Sequence, residues 1–309
     1  MLDSLDKRIL QALEIDCRQS NANIARKLRT NKTVINYRIG RLQKRKIITG
    51  FKCISNQLIL GRMSFGLLIQ FRDLSLKQEE ELIKNISRIK QVSWTALINS
   101  KWDMIAVVME KDIQSFNDVL QEIFSVCNNH IKDYNFYVDY SGSIFCHDYL
   151  YDAPKDCSVK YAGGEIIKLK AVELAVYEAI RKNPRVSLLQ IATNLNRTYD
   201  TIKSKFNYLK SKKILLRCSP NINIRILGYQ DNLCLLNLSP CQEKLDQLLK
   251  FCAKDPYVLR YAQCLGHFQL ILSIHSKDSR QLKYTLSRIK KEFSDIINHY
   301  EIIQTVEQS

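Results

Sequence analysis

The chain has 309 residues and a formal net charge of +16, with a sequence pI near 9.4. That length allows two or more domains with cores of their own, and the charge points to an anionic partner such as a nucleic acid or an acidic membrane surface. The opening MLDSLDKRILQAL mixes acids into an amphipathic pattern where a secretory signal needs a basic region and a continuous apolar run, and no stretch has the length of a membrane span, so the sequence reads as cytoplasmic.

In chain order, residues 1–60 carry a net charge of +9 and the sequence there predicts three helices: Leu5 to Asp16, Asn21 to Leu28 capped by Ser20, and Lys32 to Lys46 capped by Asn31. A short strand pair around Ile47 to Ser55 follows. Strand, helix, strand, strand, helix and strand are then expected near 64–71, 78–85, 92–98, 103–109, 112–127 and 131–140, a βαββαβ unit. The connector SGSIFCHDYLYDAPKDCSVKYAGGE holds Pro154 and Gly163-Gly164 beside strand-like aromatics. Beyond it the order repeats, with helices near 170–182, 188–195 and 199–213 in a block of net charge +10 over 168–228, then a second βαββαβ set over 232–305.

The repetition is visible residue by residue. At an offset of 167, Ile24-Ala25 falls on Ile191-Ala192, Ile35 on Ile202, Leu42 on Leu209 and Leu60-Gly61 on Leu227-Gly228. At an offset of 166, Lys111-Asp112 meets Lys277-Asp278 and Tyr134 meets Tyr300. The chain therefore reads as a tandem duplication of a unit of about 150 residues. The remainder outside the two basic blocks carries −3, so the positive excess is confined to them, as in a nucleic-acid binder.

Within the first block, Ile35, Ile39 and Leu42 form an inward stripe. The outermost positions of that helix are then Thr33, Tyr37, Gly40 and Lys44, flanked by Asn36 and Arg41. Asn36 suits an adenine edge and Arg41 a guanine or a phosphate, while Lys32, Lys44, Arg45, Lys46 and Lys52 are point charges for phosphates; Arg38 joins the basic face. A solvated basic face is the plainer alternative. Glycine in a helix interior costs about 1 kcal/mol against alanine, so Gly40 either admits close backbone approach or is simply tolerated. The second copy presents Asp200, Ser204, Asn207 and Ser211 outward, which moves Lys203 and Lys205 to its flanks and suggests phosphate contacts more than base reading.

LDSLDKRILQALEIDCRQSNANIARKL followed by NKTVINYRIGRLQKRKIITGF resembles the Lrp/AsnC family of transcription regulators. The resemblance rests on the opening LDxxDxxIL, the RQS before the second helix and the RIxRL of the third, and covers nearly the whole chain. It implies an α+β fold of two winged helix-turn-helix domains alternating with two ferredoxin-like RAM-like domains. The expected boundaries are 1–56, 57–142, a linker at 143–166, 167–223 and 224–309. It also implies a sequence-specific regulator of double-stranded DNA, as a homo-oligomer or an intrachain pseudo-dimer, with an amino acid or other small effector. The effector turn of the family corresponds to Ser100, Lys101, Trp102 and Asp103 and to Gly266 and His267. Two departures stand out: Arg29 and Asn196 replace the usual glycine before the third helix, and Lys101 and His267 replace the usual acid. The alternative for these turns is structural, with Trp102 and Phe268 packing against the sheet.

The five histidines form no HExxH or His-carboxylate cluster and no phosphate-cradling glycine loop is present, so neither enzyme activity nor a cofactor is expected. The ten cysteines lack a CxxC pair and read as free thiols of a reducing compartment; His147 with Cys146 and Cys157 is an incidental spacing rather than a metal site. A ligand-sensing or assembly module that has lost specific DNA binding, and an RNA binder, remain the competing functions.

Overall fold

The structure is a computed structural model that describes residues 2–153 and 156–308. The chain divides into two units: one holds the residues up to Leu60, 145–161 and Glu165–Tyr229, the other Gly61–Ile144, Ala162–Gly164 and Gln230 onward. Both basic blocks fall in the first unit.

In that unit α1 (Ser4–Ile15), α2 (Asn21–Leu28) and α3 (Lys32–Lys44) form the first head, and α6 (Ala171–Lys182), α7 (Leu188–Asn194) and α8 (Tyr199–Ser211) the second. Local chemistry starts each helix. Asp3 and Asp6 form a capping box on α1, Ser20 accepts the Asn23 N–H, and Asn31 accepts the Val34 N–H at 2.8 Å. Ile9, Leu10, Leu13, Ile24, Ile35 and Leu42 are wholly buried in the first head, and Val176, Ile180, Ile202 and Leu209 in the second. Where the usual glycine is absent, Arg29 and Asn196 adopt φ of 54° and 50°. The left-handed turn between the second and third helices is thus kept, held by side chains that disfavour it mildly.

The expected wing is corrected. Among the described residues no strand pair forms within a head: β1 (Ile48–Ser55) pairs antiparallel with β7 (Leu215–Ile222) of the second head, with Cys53 opposite Cys218. No turn follows β1 to fold a second strand back on it. The chain passes instead through a 3-10 turn (Leu58–Leu60) and leaves the unit, so the open edge of β1 is satisfied by the matching edge of β7. The stretch expected as a linker is also built in. Cys146, Leu150 and Tyr151 are buried, and a short strand β6 (Val159–Ala162) closes it.

The second unit holds β2 (Met63–Phe71), α4 (Leu76–Ile86), β3 (Val92–Asn99), β4 (Met104–Glu110), α5 (Ile113–Cys127) and β5 (Ile131–Ile144). Its second half holds β8 (Gln230–Leu238), α9 (Gln242–Lys254), β9 (Val258–Gly266), β10 (Leu270–Ser276), α10 (Ser279–Phe293) and β11 (Ile297–Gln308). The sheet runs β2-β4-β3-β11-β8-β10-β9-β5-β6, and β5 also pairs with β2. Each half therefore has its first strand between its third and fourth, and each long last strand crosses over: β5 pairs with β2 and then with β9, and β11 with β8 and then with β3. Helices α4 and α5 pack Ile83, Phe116 and Ile123 onto Phe65, Leu67 and Ile69 of β2 in the first half. A second cluster, with Leu68, Ile98, Trp102, Ile105, Leu235, Phe268 and Ile271, draws residues from both halves, so each half buries an apolar face on the other.

Candidate nucleic-acid interface

Asn31 caps α3 so that its buried stripe Ile35, Ile39 and Leu42 faces the head's core. Lys32, Thr33, Asn36, Tyr37, Lys44 and Arg45 are left exposed, Tyr37 by 67%, and Lys52 on β1 is exposed as well. Asn36 is not loose: its Oδ1 accepts from Asn21 Nδ2 at 2.6 Å, and Asn21 Oδ1 accepts from Arg185 Nη2 of the second head at 2.8 Å. That relay leaves the Asn36 amide nitrogen free to donate outward.

Arg38 and Arg41 are placed differently from the expectation that they face DNA. Arg38 pairs with Asp3 and lies 3.1 Å from Asp6; Arg41 Nη2 lies 2.6 Å from Asp6 Oδ2. Asp6 is wholly buried and needs these cations, because a carboxylate taken out of water without a partner is costly. The same arrangement recurs in the second head, where Lys205, read as a phosphate contact, lies 3.0 Å from Glu173. These three cations hold α3 and α8 against the first helix of each head. The spacing that betrays this, an acid at the third position of α1 and of α6, was present in LDSLDKR and KAVELAV but only the fold brings it to the third helix. Arg41→Ala is expected to lower stability by about 2 kcal/mol, through partial loss of the Asp6 partners. Urea denaturation followed by far-UV circular dichroism reads that change.

On α8, Lys203 and Ser204 are exposed together with Asp200, Asn207 and Ser211. Its other flank faces the first head, where Arg18 lies 5.0 Å from the Phe206 ring. Arg18 also donates to the carbonyls of Pro184 and Val186, at 2.5 and 2.9 Å. Arg18 and Arg185, 167 residues apart in the chain, each reach into the opposite head, so α3 and α8 are carried on one packed body.

A second polar centre anchors the connector. Glu14 of α1 accepts from Tyr151 Oη at 2.6 Å and meets His147 Nδ1 at 2.5 Å. Burial alone would raise its pKa, but the His147 charge, the hydrogen bonds from His147 and Tyr151 and the nearby Arg217 charge hold it at about 2. Cys146 and Cys157 are joined in a disulfide, which corrects their reading as free thiols, and Arg217 donates to the carbonyls of Cys157 and Phe145. Among the described residues no group of three or more His, Cys, Asp or Glu is placed to hold a metal.

In the second unit the two turns read as effector sites are occupied by structural contacts. Trp102 is 2% exposed and its Nε1 donates to Glu301 at 3.1 Å; Ser100 Oγ accepts the Trp102 N–H; Asp103 accepts the Phe71 N–H at 2.7 Å. Lys101 is exposed, 4.6 Å from the Trp102 ring centre. Gly266 has φ of 131° and a Cβ there would meet the Phe136 carbonyl at 3.0 Å, while His267 is exposed beside buried Phe268.

A capped three-helix head with a left-handed turn before an exposed basic third helix defines the class of helix-turn-helix DNA-binding proteins. Residues 2–43 match the AsnC-type helix-turn-helix domain. The chain is 32% identical over 132 residues to the uncharacterized HTH-type transcriptional regulator PH1916 of Pyrococcus horikoshii, covering 87% of that protein and 41% of this chain. It is 30% identical over 126 residues to the proline dehydrogenase transcriptional activator of Rhizobium radiobacter, covering 80% of that protein and 40% of this chain. The chain belongs to the Lrp/AsnC family of HTH-type transcriptional regulators. Its fold over 98% of its length, and 91% of the other chain, is shared with the siroheme decarboxylase NirDL, at a TM-score of 0.66 and 15% identity. No helix among the described residues is long and apolar enough to cross a membrane.

Proposed function

We propose that the chain is a sequence-specific regulator of double-stranded DNA that catalyses no reaction and works as an intrachain pseudo-dimer. The observation that carries this reading is the gathering of both basic blocks into one unit, with Lys32, Thr33, Asn36, Tyr37, Lys44 and Arg45 exposed on and beside α3. A tandem duplication of one helix-turn-helix plus ferredoxin-like unit accounts for the repeated element order and for the exchange of β5 and β11. α3 reads bases. α8, with Lys203 and Ser204 outward and Lys205 tied to Glu173, adds phosphate contacts, so the preferred site is asymmetric. An effector response would fall to Lys101 and His267, the exposed groups of the two turns, as partners for a carboxylate.

A module without specific DNA binding is the second reading, favoured by the internal pairing of Arg38, Arg41 and Lys205. Selection from a random duplex pool, followed by titration at several salt concentrations, separates the two. The regulator reading requires an enriched asymmetric site and an affinity that falls steeply with salt. Weak binding without sequence preference, or a change in the visible spectrum of added siroheme with release of carbon dioxide, would overturn it.

A further inference from the structure

The sulfur atoms of Cys53 and Cys218 lie 2.8 Å apart at the centre of the β1–β7 ribbon, on directly opposed residues. Beside them a cavity of about 510 Å³ is lined by Cys218 together with Arg18, Arg185, Lys210 and Phe206. The thiol pair has no part in the DNA-reading face, and the cavity touches that face only through Arg185. Two thiols this close across an antiparallel pair need little backbone movement to bond. Arg18 and Lys210 favour the Cys218 thiolate, against burial and the Asp16 carboxylate, which oppose it.

We propose that Cys218 and Cys53 form a peroxide-reactive dithiol that closes to a disulfide joining the two heads. Cys218 is the attacking sulfur. The hydrogen bond from Cys53 lowers its pKa against the opposing effect of burial, with Arg18 and Lys210 adding to the lowering, whereas Cys53 is raised by the same hydrogen bond and by burial. Cys17, also close by, is pushed up to about 12 by burial and the neighbouring Cys218 and stays a thiol. The Cys218 thiolate attacks one peroxide oxygen, the O–O bond breaks, and the departing hydroxide takes up a proton to leave as water. The Cys53 sulfur then attacks the resulting sulfenic acid, the S–O bond breaks, and hydroxide leaves with the Cys53 proton as a second water. Two thiols and one hydrogen peroxide thus become one disulfide and two waters.

Cys218 reaches solvent through the cavity although only 7% of its surface is exposed. The full chain, reduced, desalted and treated with one equivalent of hydrogen peroxide, is digested with trypsin without reduction and analysed by mass spectrometry. The expected product joins peptide 53–62 to peptide 218–225. In Cys53→Ser the reaction stops at the Cys218 sulfenic acid, which dimedone traps. In Cys218→Ser the dimedone adduct at residue 53 forms at least about tenfold more slowly, because the unactivated thiol remains protonated. Circular dichroism of both variants establishes that they are folded. Absence of the crosslink in the folded wild-type chain, or Cys218 reacting no faster than buried Cys252, would overturn the assignment.

Discussion

Glu14→Ala is expected to lower the stability of the head-bearing unit by about 3–5 kcal/mol, because it removes a buried acceptor and leaves Tyr151 and His147 facing an empty site. Glu14 is 2% exposed and both its carboxylate oxygens are engaged. Glu14→Gln should cost less, since the amide keeps one acceptor oxygen. Far-UV circular dichroism during urea unfolding reads the helices of both units, the six of the head-bearing unit among them. Trp94 and Trp102 both lie in the other unit, so tryptophan fluorescence serves as the internal comparison and should move little. The pH dependence has a defined direction: the folded pKa of about 2 is below the ordinary 4.5, so the contribution of Glu14 is complete above 4.5 and is lost as the pH falls toward 2. A Glu14→Ala chain whose dichroism transition coincides with that of the unmodified chain would show that the connector is not anchored there.

The double substitution Asn36→Ala, Tyr37→Ala is expected to weaken binding to the selected duplex by roughly 2–4 kcal/mol, about 30- to 1000-fold, while leaving the stability within about 0.5 kcal/mol. Both side chains are exposed, Tyr37 by 67%, and the one hydrogen bond given up, from Asn21 to Asn36, lies at the surface. Lys203→Ala should instead weaken binding to all duplexes by a similar modest factor and reduce the salt slope by about 1. Measured against the selected site and a scrambled one, these two outcomes distinguish base reading from phosphate grip. Equal loss of discrimination from Lys203→Ala and from the double variant would remove the distinction between α3 and α8.

Arg38 and Arg41 show why composition of a helix face is insufficient to name its ligand. On a helical wheel they belong with Asn36 and Lys44 on a basic surface. In the fold, Asp6 sits beneath them, wholly buried, and claims both guanidinium groups. The sequence places Asp6 and Arg41 35 residues apart, and a contact over that separation is created by the packing of α1 on α3. The peroxide-reactive pair has the same character: Cys53 and Cys218 share no motif and become opposed only through the register of β1 with β7.

The helices and their caps, the order of strands, the repeat at offsets of 166 and 167 and the two basic blocks are determined by the sequence alone, since each depends on residues within a few positions or on self-similarity along the chain. Tertiary structure decided which halves keep company. An unpaired strand edge takes the geometrically matching partner wherever it lies in the chain, so β1 found β7 and the last strand of each half crossed to the other. For the same reason the two heads share one unit and the two sheet-bearing halves share the other. Buried carboxylates likewise take cations according to distance and desolvation, which no local pattern in the chain encodes.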